Sequence, residues 1–145
     1  MATAKYRYVG HTADVKFVAF GGSMQELFQN AALALFNTSA DTGALKRAGG
    51  RTVRLTIRVS ARDYEDLLWK TLQRCLSVAD IRGVFCYRMS RPVIRKVRAI
   101  TLTATAYGKE RDARYSRLEA KGVSKYELWI GRARRGYRAS AVVDV

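Results

Sequence analysis

After the second of two predicted helices the chain contains only strand-like segments, and this order constrains the fold more than any other feature. The first helix begins at a capping box, Ser23-Met24-Gln25-Glu26, and the second extends from Asp63 to Val78. Because the later strands cluster instead of alternating with helices, their pairing should be largely antiparallel. We therefore predict an α+β fold of mostly antiparallel β-sheets packed with two α-helices. The later strands are predicted at residues 83–89, 93–97, 99–107, 119–130 and 137–145.

The remaining segments agree with this fold class. Residues 5–20 have a strand-like texture that is broken at 10–14, and residues 51–60 alternate strictly between apolar and polar side chains. Residues 46–50 and 109–116 are predicted to be loops, and residues 131–136 a hairpin turn. A length of 145 residues suits one core, so we predict a single domain over residues 1–145.

Charge is the most unusual property of the composition. Lys and Arg number 27 against 12 Asp and Glu, which gives a formal net charge of +15. This excess favours an anionic partner, with nucleic acid first and a membrane surface second. No uncharged apolar run approaches the roughly 20 residues of a membrane span, and residues 1–10 lack the apolar core of a signal peptide. We therefore expect a cytoplasmic protein that is not bound to a membrane.

Histidine and cysteine are too few for several kinds of site. His11 is the only histidine, which excludes a metal site that needs two imidazoles. Cys75 and Cys86 cannot form a four-thiolate zinc site, and their spacing excludes a C-x-x-C redox motif. We expect both thiols to be reduced and buried, with a disulfide between them as the alternative. Cys75 lies on the apolar side of the second helix, so a core role is favoured over a nucleophilic one.

Two acidic positions stand out because carboxylates are scarce. The turn His11-Thr12-Ala13-Asp14 follows Gly10. One interpretation is that Thr12 or Asp14 caps the turn by a hydrogen bond to a nearby main-chain N–H. The other is that Asp14 is a metal ligand or a base. At the other end, Asp144 closes an apolar strand. If the chain ends at Val145, its free α-carboxylate lies one residue further on. Close anions of this kind favour a hard cation such as Ca²⁺, Mg²⁺ or Mn²⁺, whereas the alternative is a frayed, solvated tail.

Basic residues form three clusters after residue 90, with tyrosines between them. This pattern predicts RNA or DNA affinity that falls with salt, and the alternative is a solvated basic surface. The candidates for contact with RNA or a partner are Arg91, Arg95, Arg114, Arg117, Lys121, Arg134 and Arg135.

Several motifs together resemble the archease family. They are residues 6–15 around the His-Thr-Ala-Asp turn, the helix segment 26–37, Asp66-Leu67-Leu68, Asp80, Glu119-Ala120-Lys121 and the terminal Val142-Val143-Asp144-Val145. The resemblance spans nearly the whole chain in the same order. It implies a small α+β protein cofactor, not an enzyme, that activates the tRNA-splicing RNA ligase. That ligase joins 3′-phosphate or 2′,3′-cyclic-phosphate ends to 5′-hydroxyl ends, and the cofactor promotes its guanylylation and multiple turnover.

The resemblance also implies a metal site and its ligands. Carried over by motif, the ligands of a divalent cation are Asp14, Asp144 and Val145, with His11 and Thr12 as supporting residues. We expect Ca²⁺ first, with Mg²⁺ or Mn²⁺ as alternatives. This chain departs from the family in its basic charge and in two regions that usually contain histidine, residues 112–116 and 122–126.

Two other function classes remain as alternatives. One is a basic RNA-binding or chaperone-like module that modulates a tRNA methyltransferase or binds tRNA through its arginines. The other is a metal-dependent phosphoesterase that uses Asp14 and Asp144, but it would need a base or second metal that the sequence does not obviously supply.

Overall fold

A computed structural model describes residues 4–10 and 13–145 of the protein. His11 and Thr12 therefore lie outside the described residues. Three α-helices and eight β-strands follow one another along this part of the chain. They are β1 Tyr6–Val9, β2 Val15–Gly21, α1 Met24–Ser39, α2 Thr42–Arg47, β3 Val53–Ala61, α3 Tyr64–Arg82, β4 Val84–Met89, β5 Val93–Lys96, β6 Ile100–Glu110, β7 Gly122–Ala133 and β8 Gly136–Asp144.

The two long helices begin where the sequence predicts. Ser23 caps α1 by accepting a hydrogen bond from the Glu26 N–H at 3.1 Å, and the Glu26 carboxylate accepts in turn from the Gly22 N–H at 3.3 Å. Asp63 caps α3 in the same way, accepting from the Asp66 N–H at 2.8 Å. These bonds satisfy N–H groups that have no partner within the helix.

The prediction was wrong about where α3 ends and about the number of helices. Helix α3 continues to Arg82 because Gly83 adopts the left-handed conformation at φ 65° and closes the helix there. The short helix α2 was not predicted, since only two of its six residues are buried and it presents little apolar periodicity. It occupies the start of the predicted 46–50 loop. The predicted 109–116 loop instead begins with the end of β6 and contains a 3₁₀ turn at Ala113–Tyr115.

The strands form two antiparallel sheets. The first has the order β1-β2-β8-β7, and the second has the order β3-β6-β4 with β5 also paired to β6. Both long helices pack against strands of both sheets, so they lie between them. This position explains why α1 is buried around most of its circumference, from Leu27 to Phe36. The α+β class with mostly antiparallel pairing is confirmed.

Both cysteines lie in the core between the sheets, and both are free thiols. Burial raises the pKa of Cys75 and raises the pKa of Cys86 to about 12, with the Arg111 charge opposing the second shift. A thiolate is the reactive form of cysteine, so neither thiol is suited to act as a nucleophile.

This burial leads to a labelling prediction. At pH 8, a disulfide reagent should react with the folded protein roughly a thousandfold more slowly than with the unfolded chain, because so little thiolate forms in the fold. The same shift makes stability fall as pH rises above 9.0, the unfolded value, since only the unfolded state then loses thiol protons. Absorbance of the released chromophore with and without denaturant measures the first effect. Rapid labelling of the native protein would contradict it.

Candidate functional site

The pairing of β2 with β8 brings the two unusual acidic positions to the same edge of the first sheet. Val15 and Val143 are directly opposed in this antiparallel pair. The next residues outward are Asp14, just before β2, and Asp144, the last residue of β8. The register therefore brings two acidic positions that are distant in the chain to the same edge of the first sheet.

The end of β8 is held on its other side as well. Asp144 opposes Gly122 of β7, and its carbonyl oxygen accepts a hydrogen bond from the Lys121 N–H at 2.7 Å. Val143 is fully buried, and the side chain of Val145 packs partly against the core. The final residues therefore have the contacts of a sheet strand, not those of a frayed tail.

Helix α3 fixes the β7 strand that flanks this edge. The Trp69 indole N–H donates to the main-chain carbonyl of Val123 at 2.7 Å, and the side-chain amide oxygen (Oε1) of Gln73 accepts from the Val123 N–H at 2.6 Å. Sequence reasoning did not single out Trp69 or Gln73. Their spacing of four residues on one helix was the available signal, because it places both side chains on the same side.

The donor chemistry of this edge suits a hard cation. Asp14 is half-buried and Asp144 is exposed, so their oxygens can be reached from solvent. Carboxylate oxygens are the donors that Ca²⁺, Mg²⁺ and Mn²⁺ prefer. Within residues 4–10 and 13–145, no three side chains of His, Cys, Asp or Glu converge on one point. Among the described residues, these two carboxylates are therefore the acidic side chains that this edge offers to a cation.

A small cavity adjoins Asp14 and was not anticipated from the sequence. It has a volume of about 330 Å³ and lies between β1, the end of α1 and the segment that precedes β7. Tyr8 and Leu118, both among the exposed large apolar residues, line it together with Arg117. The Tyr8 hydroxyl donates to the Ala34 carbonyl at 2.8 Å, which fixes the ring against α1. The cavity offers an apolar surface beside a carboxylate.

The seven predicted contact residues for RNA or a partner do not form one surface. All are exposed. Arg114 is paired with Asp112 at 2.7 Å, and its hydrogen bonds lower the pKa of that carboxyl. Arg117 lies 3.7 Å from Asp41. The others are dispersed: Arg91 follows β4, Arg95 lies in β5, Lys121 precedes β7, and Arg134 and Arg135 form the β7–β8 turn.

The structure shows what replaces one of the two histidine-containing regions that the resemblance leads one to expect. In the region 112–116, where the resemblance leads one to expect a histidine, Asp112 caps the 3₁₀ turn by accepting from the Arg114 N–H at 2.9 Å. Ser116 then forms a bridge with Ala40. A hydrogen-bonded turn therefore occupies this position.

The family model described as the archease protein family (MTH1598/TM1083) matches residues 6–145. The chain belongs to the archease family. A protein archease from Methanosarcina acetivorans is 33% identical over 144 residues, covering 97% of this chain and 96% of the relative. The archease of Archaeoglobus fulgidus is 26% identical over 141 residues, covering 97% and 99%.

Two solved structures have the same archease fold. The solution structure of protein 1598 from Methanobacterium thermoautotrophicum has a TM-score of 0.76 and 26% identity, covering 97% of this chain and 99% of that one. A crystal structure from Thermotoga maritima, described as an archease and possible chaperone, has a TM-score of 0.62, 18% identity and coverage of 100% and 98%. No helix in the described part of this archease is long and apolar enough to cross a membrane.

Proposed function

We propose that this archease is a cytoplasmic, metal-binding accessory protein that activates the tRNA-splicing RNA ligase. Its role is to promote guanylylation of the ligase and repeated turnover, not to catalyse a reaction alone. The observation that supports the proposal most directly is the register of β2 and β8, in which Val15 opposes Val143. Asp14 lies just before Val15 in the chain, and Asp144 lies just after Val143. Membership of the archease family over residues 6–145 supports the choice of partner.

The proposed ligands are Asp14, Asp144 and the α-carboxylate of Val145. Negative groups this close repel one another, and burial of their neighbours limits how far they can separate. When bound, a divalent cation, with Ca²⁺ first and Mg²⁺ or Mn²⁺ as alternatives, would supply positive charge that offsets this repulsion. The residues of the chain would hold this edge in one shape, through the Lys121–Asp144 hydrogen bond and the packing of Val145. In that shape the edge would contact the ligase near its active site and favour transfer of GMP to the ligase.

Neither cysteine is suited to serve as the nucleophile of an independent reaction. Cys75 and Cys86 are buried with raised pKa values. Asp14 and Asp144 serve as ligands in this proposal, and in that role they are not free to act as a base.

The experiment compares ligase stimulation by three forms of the protein. Labelled GTP reports guanylylation of the ligase, and a 2′,3′-cyclic-phosphate RNA in excess over ligase reports turnover. Asp144→Asn, and separately one glycine added after Val145, should each reduce stimulation by about tenfold to a hundredfold or more, since each removes a carboxylate ligand. The added glycine leaves the Val145 side chain in place, converts the Val145 carboxylate into an amide and moves the terminal carboxylate one residue further along the chain.

A matched variant controls for the change in charge. Glu110→Gln removes one exposed carboxylate at the end of β6, in the other sheet, and should stimulate the ligase as well as wild type. Full stimulation by Asp144→Asn or by the extended chain would refute the proposal. Melting curves of all variants, recorded with chelator present, separate a loss of function from a loss of fold.

A further inference from the structure

The second sheet turns one face towards the helices and the other towards solvent. On the inner face, Leu55, Ile57 and Leu102 are almost fully buried. On the outer face, four exposed arginines surround a half-buried tyrosine. We call this outer surface the arginine face, and define it by Arg54, Arg58, Arg88, Arg95 and Tyr107.

The register places these side chains on one side of the sheet. Tyr107 of β6 is opposed both by Arg54 of β3 and by Arg88 of β4. Thr103 and Thr101 lie four and six residues before Tyr107 in β6 and therefore on the same side of the strand. Arg58 of β3 opposes Thr103, and Arg95 of β5 opposes Thr101. Since side chains alternate between faces along a strand, all of these residues share the outer face. The positive charges are therefore spread over three strands.

No ion pair of the described residues involves the arginine face. None of the twelve acidic residues lies in β3, β4 or β5, and β6 contains only Glu110, at its final position. The five ion pairs of the described residues all lie elsewhere, including those of Arg111, Arg114 and Arg117. Within the described residues, the arginines of this face therefore differ from Arg111, Arg114 and Arg117, each of which is paired with a carboxylate.

Tyr107 gives the arginine face a flat aromatic centre. The guanidinium carbon of Arg88 lies 3.7 Å from the centre of the tyrosine ring, and that of Arg54 lies 6.0 Å from it. A guanidinium plane stacked on a ring is a surface on which a nucleobase can stack. An acidic protein partner would be attracted by the positive charge, but it would gain nothing from the guanidinium that lies over the tyrosine ring.

We propose that the arginine face binds single-stranded RNA. Phosphates would contact Arg54, Arg58 and Arg95, and an unstacked base would lie on the Arg88–Tyr107 pair. The hydroxyls of the exposed Thr101 and Thr103 lie between these groups and can donate to or accept from a ribose 2′-hydroxyl. The site is separate from the proposed metal ligands, which lie at the edge of the other sheet.

The test measures binding of a fluorescently labelled single-stranded RNA by anisotropy, at several salt concentrations. The triple variant Arg54→Gln, Arg58→Gln and Arg88→Gln should bind about tenfold or more weakly. Its slope of log affinity against log salt should be lower in magnitude by about 1.4, because the variant loses the two phosphate contacts of Arg54 and Arg58. The matched control replaces Arg132, Arg134 and Arg135, all exposed near the β7–β8 turn, and should keep most of the affinity. Equal losses in the two triple variants would mean that net charge alone drives binding, and would overturn the proposal.

Stacking has its own pair of variants. Tyr107→Leu should weaken RNA binding by roughly tenfold, because the Arg88 guanidinium loses the ring that holds it flat beneath the base, whereas Tyr107→Phe keeps the ring and should bind like wild type. Single-stranded DNA of the same sequence should bind more weakly than RNA. Equal binding of DNA and RNA, or an unaltered affinity in Tyr107→Leu, would contradict the assignment.

The ligase assay distinguishes RNA binding from a protein interface and from the proposed function. Asp144→Asn should retain full RNA affinity, so failure of the metal site leaves this proposal intact. If the arginine triple variant kept its RNA affinity but no longer stimulated the ligase, the face would be an interface with an acidic protein surface and the RNA proposal would be wrong.

Discussion

Calcium at a hundred times its dissociation constant should raise the melting temperature of the metal-free protein by about 5–10 °C. The same addition should leave Asp144→Asn almost unchanged. A cation that binds the folded state and not the unfolded chain stabilises the fold by mass action. The proposed ligands come from opposite ends of the chain, beside β2 and β8, so the complete set exists only when the first sheet has formed.

The prediction is specific because the difference in stability between Asp144→Asn and wild type should change sign between chelator and calcium. Without a cation, the proposed ligands Asp14 and Asp144 would repel each other, and asparagine at 144 would remove that repulsion. In chelator, Asp144→Asn should therefore be as stable as wild type or more stable, while in calcium wild type should be the more stable of the two. An aspartate with only a structural role would give a less stable variant in both conditions.

Differential scanning fluorimetry with calcium, magnesium and manganese measures both effects, and isothermal calorimetry gives the affinity for each ion. Glu110→Gln again serves as the charge-matched control and should respond to the ions as wild type does. A wild-type protein whose melting temperature is unaffected by all three ions would contradict the metal site.

Gly136→Ala should lower the free energy of unfolding by about 4 kcal/mol or more. Gly136 starts β8 with φ at 130°, a conformation that costs a residue with a side chain about 1–3 kcal/mol. A Cβ there would also collide with the carbonyl oxygen of Gly21 and lie 2.7 Å from the Cα of Gly22. Backbone cannot rotate away as a side chain can, so the start of β8 would have to shift from β2.

Gly50→Ala separates the two causes. Gly50 also has a positive φ, of 102°, but nothing lies within 4 Å of a Cβ built there. Its replacement should cost only the conformational part, about 1–2 kcal/mol. Urea denaturation of both variants measures the difference, and equal losses would show that the backbone contact at Gly136 contributes little. If Gly136→Ala does not fold at all, its yield of soluble protein against that of Gly50→Ala provides the comparison.

Much of the local structure could be predicted from short stretches of sequence. The N-termini of α1 and α3 follow from Ser23 and Asp63, because a cap is a bond between residues three apart. The alternation of residues 51–60 likewise predicted β3. Helix α2 was not predicted because it is short. Its position depends on contacts with β4 and the 3₁₀ turn as well as on its own pattern of apolar residues.

The individual candidate residues could likewise be predicted from the sequence, whereas their assembly into candidate sites could not. From the sequence alone we could predict the α+β class, the two unusual carboxylates Asp14 and Asp144 and the excess of positive charge. The pairing of β8 with β2, which brings those two acidic positions to one edge of the sheet, became visible only in the folded protein. The tertiary structure also decided that Arg54, Arg88 and Tyr107 share one uncovered face. The physical reason is that capping and periodicity act between residues close in the chain, whereas strand partners and register are chosen by how two sheets pack around α1 and α3.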